Sequence, residues 1–384
     1  MQITEFTAES LRFRDDLPAR APADGFVWIY LERDALANAR PLLQQAAQQL
    51  GGSTLLDLHF DDLANASHPS NYDYTSVYDR VIFRRLATQV ETRAEAEQAD
   101  AATPPHGPLD APHNKTRGGL AAFNRISSRA VGFAIFDRLL ISVHPPGCYT
   151  AKSFIERFLA DAKFSVDAVA ARNRIPANPT DLVLRMVNAM VDSYLDLRRD
   201  LTRQLEHWQA ELLKPNARFS NWNALMTARS QLHVLEDLCD EQHDALQEWL
   251  DSLREQPLAA FNPDPRTAQA QQDQLVARAR DVIEHIERVV HHARRLELSA
   301  ETVVQIHFSA QSNRTNDIMR TLTALTAIFL PLNLIAGIFG MNFEFIPLIH
   351  QQAGFWWVMG SMAATAAGLG LVFWRKRFLA RTGR

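Results

Sequence analysis

Two long uncharged stretches near the C-terminus constrain this chain more than any other feature. Residues 321–343 contain no Asp, Glu, Lys or Arg over 23 positions, and His350 is the one ionisable side chain in the 30 positions of 345–374. A bilayer core about 30 Å thick is crossed by about 20 helical residues. A buried hairpin of a soluble protein fits poorly, because core helices of this length rarely lack every charge. The sequence therefore predicts two membrane spans, 319–340 and 353–374, joined by a loop over 341–352.

The charges around the spans predict their orientation. The tail 375–384, RKRFLARTGR, is strongly basic, whereas the loop NFEFIPLIHQQ contains no Lys or Arg. Basic residues stay on the cytoplasmic side of a membrane. The N-terminal MQITEFTAES also lacks the basic and apolar segments of a secretory signal. We therefore expect a two-span protein of the cell (inner) membrane with both termini in the cytoplasm and the loop outside.

The rest of the chain predicts an α+β protein in which sheet and helical segments are separated. Residues 1–175 form an α/β domain, with strands at 26–31 and 76–86 and a hairpin at 132–144 that turns at Asp137-Arg138. Helices are predicted for ALANARPLLQQAAQQLG and KSFIERFLADAKF. The Pro-rich, Gly-rich and charged composition of 93–118 predicts a disordered surface insertion.

Long helices follow the α/β domain. Residues 176–262 form a helical hairpin, and FNPDP then interrupts the chain. From Arg266 there is no proline before Pro331 and no glycine before Gly337. Residues 266–340 are therefore predicted as one helix that begins as an amphipathic stalk and becomes the first span.

Several function classes find no support. A net charge of −4 gives no basic surface for nucleic acid. The chain contains no Walker A, GxSxG or HExxH motif, so we expect no enzyme and no cofactor. Cys148 and Cys239 lie far apart without CxxC spacing, so we expect buried side chains rather than a disulfide or a thiolate metal site.

Polar residues within the first span suggest what it does. Asn333 at bilayer depth is costly unless it faces water or a partner helix. Two spans cannot enclose a pore, so transport requires several copies around an axis. One alternative is that Thr326 and Asn333 only hold helices together. The other is a pore-lining face, reached by steps of three and four residues: Met319, Leu322, Thr326, Leu330, Asn333 and Gly337.

The tripeptide GMN directly after the first span, in IAGIFGMNFE, carries a family resemblance. With the upstream SNRTNDIMRTLTALTAIFLPLNLIAG, the short loop, the second span and the basic tail, it resembles the CorA family of divalent-cation transporters. Magnesium/cobalt channels and the ZntB zinc transporters belong to that family. The resemblance is strong over residues 265–377 and architectural for the N-terminal part.

The resemblance implies a funnel-shaped homopentameric channel in contact with membrane lipids. Its first span would line the pore, with Met319 and Leu322 as a hydrophobic gate. Gly340, Met341 and Asn342 would form the selectivity filter at the outer mouth, where Asn342 holds a hydrated cation through its waters. Glu344 would concentrate cations in the outer loop. Asp281 would take part in a regulatory site at which cytoplasmic Mg2+ holds the channel closed.

Three functions remain open at this point. The first is a Mg2+ channel, also passing Co2+ or Ni2+, gated by cytoplasmic Mg2+. The second is a Zn2+ transporter of the ZntB type, perhaps proton-coupled. The third is a membrane-tethered scaffold or sensor. Magnesium-type members continue the loop with Pro-Glu-Leu, whereas Pro347 precedes Leu348 and Ile349 here. Zinc-type members tend to have glycines after GMN, so Phe343-Glu344-Phe345 favours Mg2+.

Overall fold

The computed structural model describes ten segments of the chain, which form two compact units, Met1–Ala300 and Glu301–Arg384. The segments are 1–7, 10–87, 91, 122–123, 126–148, 156, 175–212, 222–257, 264–341 and 353–375. The predicted insertion at 93–118 lies outside the described residues, as do the helix predicted for KSFIERFLADAKF apart from Glu156, most of the 341–352 loop and nearly all of the basic tail.

One seven-stranded sheet organises the described part of the first unit. Its strands are β1 (Gln2–Thr7), β2 (Leu11–Arg14), β3 (Gly25–Glu32), β4 (Asn71–Tyr74), β5 (Tyr78–Leu86), β6 (Ser128–Phe136) and β7 (Leu139–His144). They lie in the order β2-β1-β3-β7-β6-β5-β4. β3 and β7 run parallel, and the other neighbours are antiparallel. The predicted strands and the hairpin at Asp137-Arg138 are confirmed, whereas β1, β2 and β4 were not predicted.

Two helices pack on one face of this sheet. They are α1 (Leu36–Leu50), which was predicted, and α2 (Asp57–Ala64), which was not. Val27, Ile29 and Leu31 alternate along β3 toward the core that these helices share with the sheet. The approach of α2 is close, since a Cβ on Gly132 of β6 would lie 2.4 Å from Leu63 Cδ2. Glycine at this position therefore allows α2 to reach the sheet.

Two longer helices, α3 (Pro179–Leu212) and α4 (Trp222–Glu255), make further contacts with the sheet. The Trp208 indole of α3 stacks on Phe123 with 5.5 Å between ring centroids. The Gln242 amide of α4 donates hydrogen bonds to the Tyr194 hydroxyl at 2.8 Å and to the backbone carbonyl of Arg84 in β5. These contacts join α3, α4 and the sheet into one buried core.

The longest helix, α5 (Pro265–Phe339), continues without interruption through Pro331. Its N-terminal part belongs to the first unit, where the Gln209 amide of α3 donates to Ser299 Oγ at 2.5 Å. Buried residues recur every three or four positions on this part, including Val282, Ile286 and Ala293. The last helix of the described residues, α6, spans Gly354–Arg375.

Both cysteines of the chain, Cys148 and Cys239, are free and buried, as expected. Burial raises the pKa of the Cys239 thiol. The thiol therefore stays protonated and unreactive at neutral pH.

Candidate functional site

The second unit exposes a large apolar surface. Of the most apolar 18-residue window in α5 only 6% is buried, and no residue is fully buried in the corresponding window of α6. Leu330 is 69% exposed and Trp356 is 74% exposed. Both helices are long and apolar enough to cross a membrane. Apolar surface of this extent needs cover from lipid or from other protein copies.

A covered face runs along each of these two helices. On α5, Ala324 is buried, and Ile328, Pro331, Ile335 and Phe339 are partly buried at steps of three and four residues. On α6 the partly buried positions recur in the same way and include Val358, Met362, Ala366, Leu369 and Phe373. Because both helices belong to one compact unit, these stripes indicate the faces along which they pack.

The six residues predicted to line a path lie on the opposite face of α5. A helix turns about 100° per residue, so the centre of this set lies about 180° from the centre of the covered face. All six residues are exposed: Met319, Leu322, Thr326, Leu330, Asn333 and Gly337. We call these six residues the exposed stripe. α5 therefore packs one face against its own chain. The stripe on the opposite face is free to contact water, lipid or another copy of the protein.

Two polar side chains interrupt the apolar residues of the stripe. Thr326 Oγ1 donates a hydrogen bond to the backbone carbonyl of Leu322 at 2.9 Å, so its own helix satisfies it. Asn333 is exposed and has no hydrogen-bond partner among the described residues. An amide facing hydrocarbon without a partner costs several kcal/mol. Asn333 therefore requires water or a polar group from another copy.

A glycine ends the helix directly after the stripe. The Gly340 N–H donates to the carbonyl of Ala336 at 2.8 Å, and the Met341 N–H donates to Ile338 at 3.3 Å. A Cβ on Gly340 would lie 2.9 Å from the Ala336 carbonyl oxygen, so only glycine fits without a backbone shift. Asn342 and Glu344 lie outside the described residues. The local backbone geometry therefore explains why the first residue of GMN is a glycine.

Asp281 lies on the surface of the first unit, whereas the stripe belongs to the second. Its carboxylate is 58% exposed, and Asp281 Oδ1 is 3.8 Å from His285 Nε2, one turn further along α5. His285 Nδ1 lies 3.6 Å from Asp192 Oδ1 of α3. Sequence reasoning missed Asp192, because nothing local in the sequence gives the register in which α3 packs on α5. Two exposed carboxylates therefore flank one imidazole.

Comparison with known proteins agrees with this architecture. A family model described as CorA-like Mg2+ transporter protein matches residues 120–377. YfjQ of Bacillus subtilis is 46% identical over 70 residues, which cover 18% of this chain and 22% of that protein. The cobalt/magnesium transport protein CorA of Thermotoga maritima is 25% identical over 198 residues, which cover 52% of each. The chain thus matches about half the length, or less, of these two curated relatives.

The similarity in structure covers more of the chain than these sequence alignments do. The complete structure of the CorA magnesium transporter from Methanocaldococcus jannaschii superposes with a TM-score of 0.66 over 97% of both chains, at 15% identity. This likeness confirms the predicted fold class of an N-terminal α/β part, a long helix and C-terminal apolar helices.

The close contact at Gly340 leads to a prediction about the end of α5. We expect Gly340→Ala to lower the stability of the detergent-solubilised protein by about 1–3 kcal/mol, because the added methyl group overpacks against backbone. Thermal unfolding followed by circular dichroism measures the change. Gly360→Ala in α6 is the matched control, since a Cβ there meets nothing within 4 Å. Equal unfolding midpoints for the two variants would contradict a destabilising contact of the added methyl group at position 340.

Proposed function

The chain belongs to the family of CorA-like Mg2+ transporter proteins, and we propose that it conducts divalent cations, Mg2+ above all, across the cell membrane. Co2+ and Ni2+ would follow the same path. In this proposal both termini face the cytoplasm, membrane lipids surround the spans, and the chain is no enzyme. The membrane potential drives entry, and at 100 mV it contributes about 4.6 kcal/mol to the movement of a divalent ion.

The observation that carries this proposal is the amide of Asn333 on the exposed stripe, which has no hydrogen-bond partner in the part of the chain that the structure describes. A polar side chain in that position is stable if the stripe faces water. One chain has too few spanning helices to enclose water, so we propose a homo-oligomer in which the stripes of several copies surround an axis. The family resemblance favours five copies.

The side chains of the stripe suit a hydrated ion. Rings of Met319 and Leu322 form narrow apolar constrictions that close by dewetting, whereas rings of Thr326 and Asn333 offer oxygen atoms to the water shell of the ion. Mg2+ gives up its water reluctantly, so neutral groups that bind through water hold it weakly enough to release it. Asn342 would select at the outer mouth and Glu344 would attract cations to it.

Regulation by cytoplasmic Mg2+ is a further part of the proposal. Asp281 supplies a carboxylate for a regulatory ion, and Asp192 is a candidate for the second carboxylate because both lie beside His285. Both side chains are at least half exposed and can accept a hydrated ion. Mg2+ bound there would favour the closed channel. After loss of the ion, the two negatively charged carboxylates would repel each other and no longer hold the channel closed.

The proposed path predicts an ion flux that depends on Asn342. In proteoliposomes containing the purified protein, we expect Mg2+ entry that is insensitive to a pH gradient and falls at least about tenfold in Asn342→Ala, because the filter amide is lost. A Mg2+-sensitive dye inside the vesicles measures entry. Asn223→Ala is the control, since Asn223 is an exposed amide on the N-terminal turn of α4.

The same vesicles distinguish the alternatives. Zn2+ entry that follows an imposed proton gradient, with little Mg2+ entry, would make the protein a zinc transporter of the ZntB type. No entry of either ion, and no difference between Asn342→Ala and the unmodified protein, would leave a membrane-tethered scaffold or sensor.

The regulatory proposal predicts a change in gating. We expect Asp281→Asn to keep conducting at internal Mg2+ concentrations that close the unmodified channel, with the half-inhibiting concentration raised about tenfold. Asp273→Asn is the matched control on α5, where the exposed Asp273 accepts a hydrogen bond from the Gln269 amide at 2.9 Å. Unchanged inhibition in Asp281→Asn would remove Asp281 from the regulatory site.

A further inference from the structure

Three potential metal ligands meet between α4 and α5, and they include neither Asp281 nor any residue of the exposed stripe. They are His233, Glu236 and Glu297, and one ligand atom from each lies within 4.8 Å of the others. His233 and Glu236 lie three residues apart on one side of α4, and Glu297 approaches from α5. His233 Nε2 is 3.0 Å from Glu297 Oε1.

We propose that His233, Glu236 and Glu297 form a binding site for a transition-metal dication of the Zn2+ type. One imidazole and two carboxylates are a common three-ligand set for zinc, in which water takes the fourth position. Ligand atoms around tetrahedral zinc are about 3.3 Å apart, given zinc–ligand distances near 2.0–2.1 Å. The three atoms therefore need to close by about 1.5 Å at most, which side-chain rotation supplies.

The accessibility of the cluster suits an ion that enters from solvent. The side chain of His233 is 51% exposed, and that of Glu297 is 20% exposed. Their positions on two packed helices restrict the backbone while the side chains stay free to turn. A bound ion would cross-link α4 to α5 within one chain.

Two arginines neutralise the carboxylates when no metal is bound. Arg294 Nε lies 2.5 Å from Glu236 Oε1, and Arg229 Nε lies 3.7 Å from Glu297 Oε1. Arg294 also has a second acidic neighbour, because its Nη2 is 3.6 Å from Asp240 Oδ2. Glu236 can therefore turn to a metal while Asp240 keeps the guanidinium paired. The metal competes with existing ion pairs, so binding is an exchange of partners.

The donor set separates this site from the proposed transport path. Imidazole nitrogen favours Zn2+, Co2+ and Ni2+, whereas Mg2+ prefers oxygen ligands and water. The site would thus respond to a transition metal in the presence of abundant Mg2+. The inference does not depend on the proposed function, since binding at this cluster is measured without flux.

Equilibrium binding of Zn2+ to the full-length protein tests the site. The protein in detergent is freed of metal with a chelator and titrated with Zn2+ in excess Mg2+, which occupies sites made of oxygen alone. His233→Gln and Glu297→Gln each remove one ligand. His243→Gln is the matched control, because His243 Nε2 lies 3.4 Å from Glu287 Oε1 across the same two helices but belongs to no such cluster among the described residues.

We expect the unmodified protein and His243→Gln to bind one more Zn2+ per chain than either ligand variant. In His233→Gln and Glu297→Gln the affinity of the site for Zn2+ should fall by about 10–100-fold or more. A loss of that size already follows when only a hydrogen-bonding partner of a metal ligand is removed. Co2+ in place of Zn2+ should give a ligand-field absorption band that the two ligand variants lack. Unchanged stoichiometry and affinity in either ligand variant, with equal thermal midpoints, would overturn the proposal.

Discussion

The cost of placing a polar amide in an apolar surface is the constraint on which this molecule depends. Asn333 has no partner among the described residues, and the helix around it is exposed and apolar. A lipid environment alone would leave the amide unsatisfied, and water alone would leave Leu330 and Leu334 uncovered. An assembly that encloses water on one side of α5 and contacts lipid or neighbouring copies on the others satisfies both.

The first unit and the apolar C-terminal helices follow different physical rules, and α5 contributes to both. In the first unit the helix buries an apolar face, including Ile286, and forms ion pairs with α4 such as that of Arg294 with Glu236. Beyond residue 300 many large apolar side chains are exposed instead, including Met319, Leu330 and Leu334. The proposed transport path and the proposed site at His233 also differ in their ligands. Neutral oxygen groups suit a transported hydrated ion, whereas imidazole with carboxylates suits a transition metal that stays bound.

The sequence predicted those features that depend on local composition and failed where distant segments meet. Missing charges predicted the apolar helices, missing Pro and Gly predicted α5, and aromatic and β-branched content predicted β3 and β5. The strand β2 has only four residues, is largely exposed and has no β-branched residue, so it lacks the content that predicted β3 and β5. The contact of His285 with Asp192, and that of His233 with Glu297, depend on how α5 packs on α3 and α4. The alignment of α5 with α3 and α4 depends on side-chain packing along all three helices, so no short stretch of sequence predicts it.

Thiol accessibility along α5 in reconstituted vesicles tests most directly whether the exposed stripe faces water. The native Cys148 and Cys239 are buried and contribute little background. A membrane-impermeant thiol reagent should react with Asn333→Cys and block Mg2+ entry. It should leave Leu325→Cys unlabelled, because this position lies about 100° from the centre of the stripe. Equal labelling of the two positions, or an unreactive Asn333→Cys, would contradict a water-facing stripe.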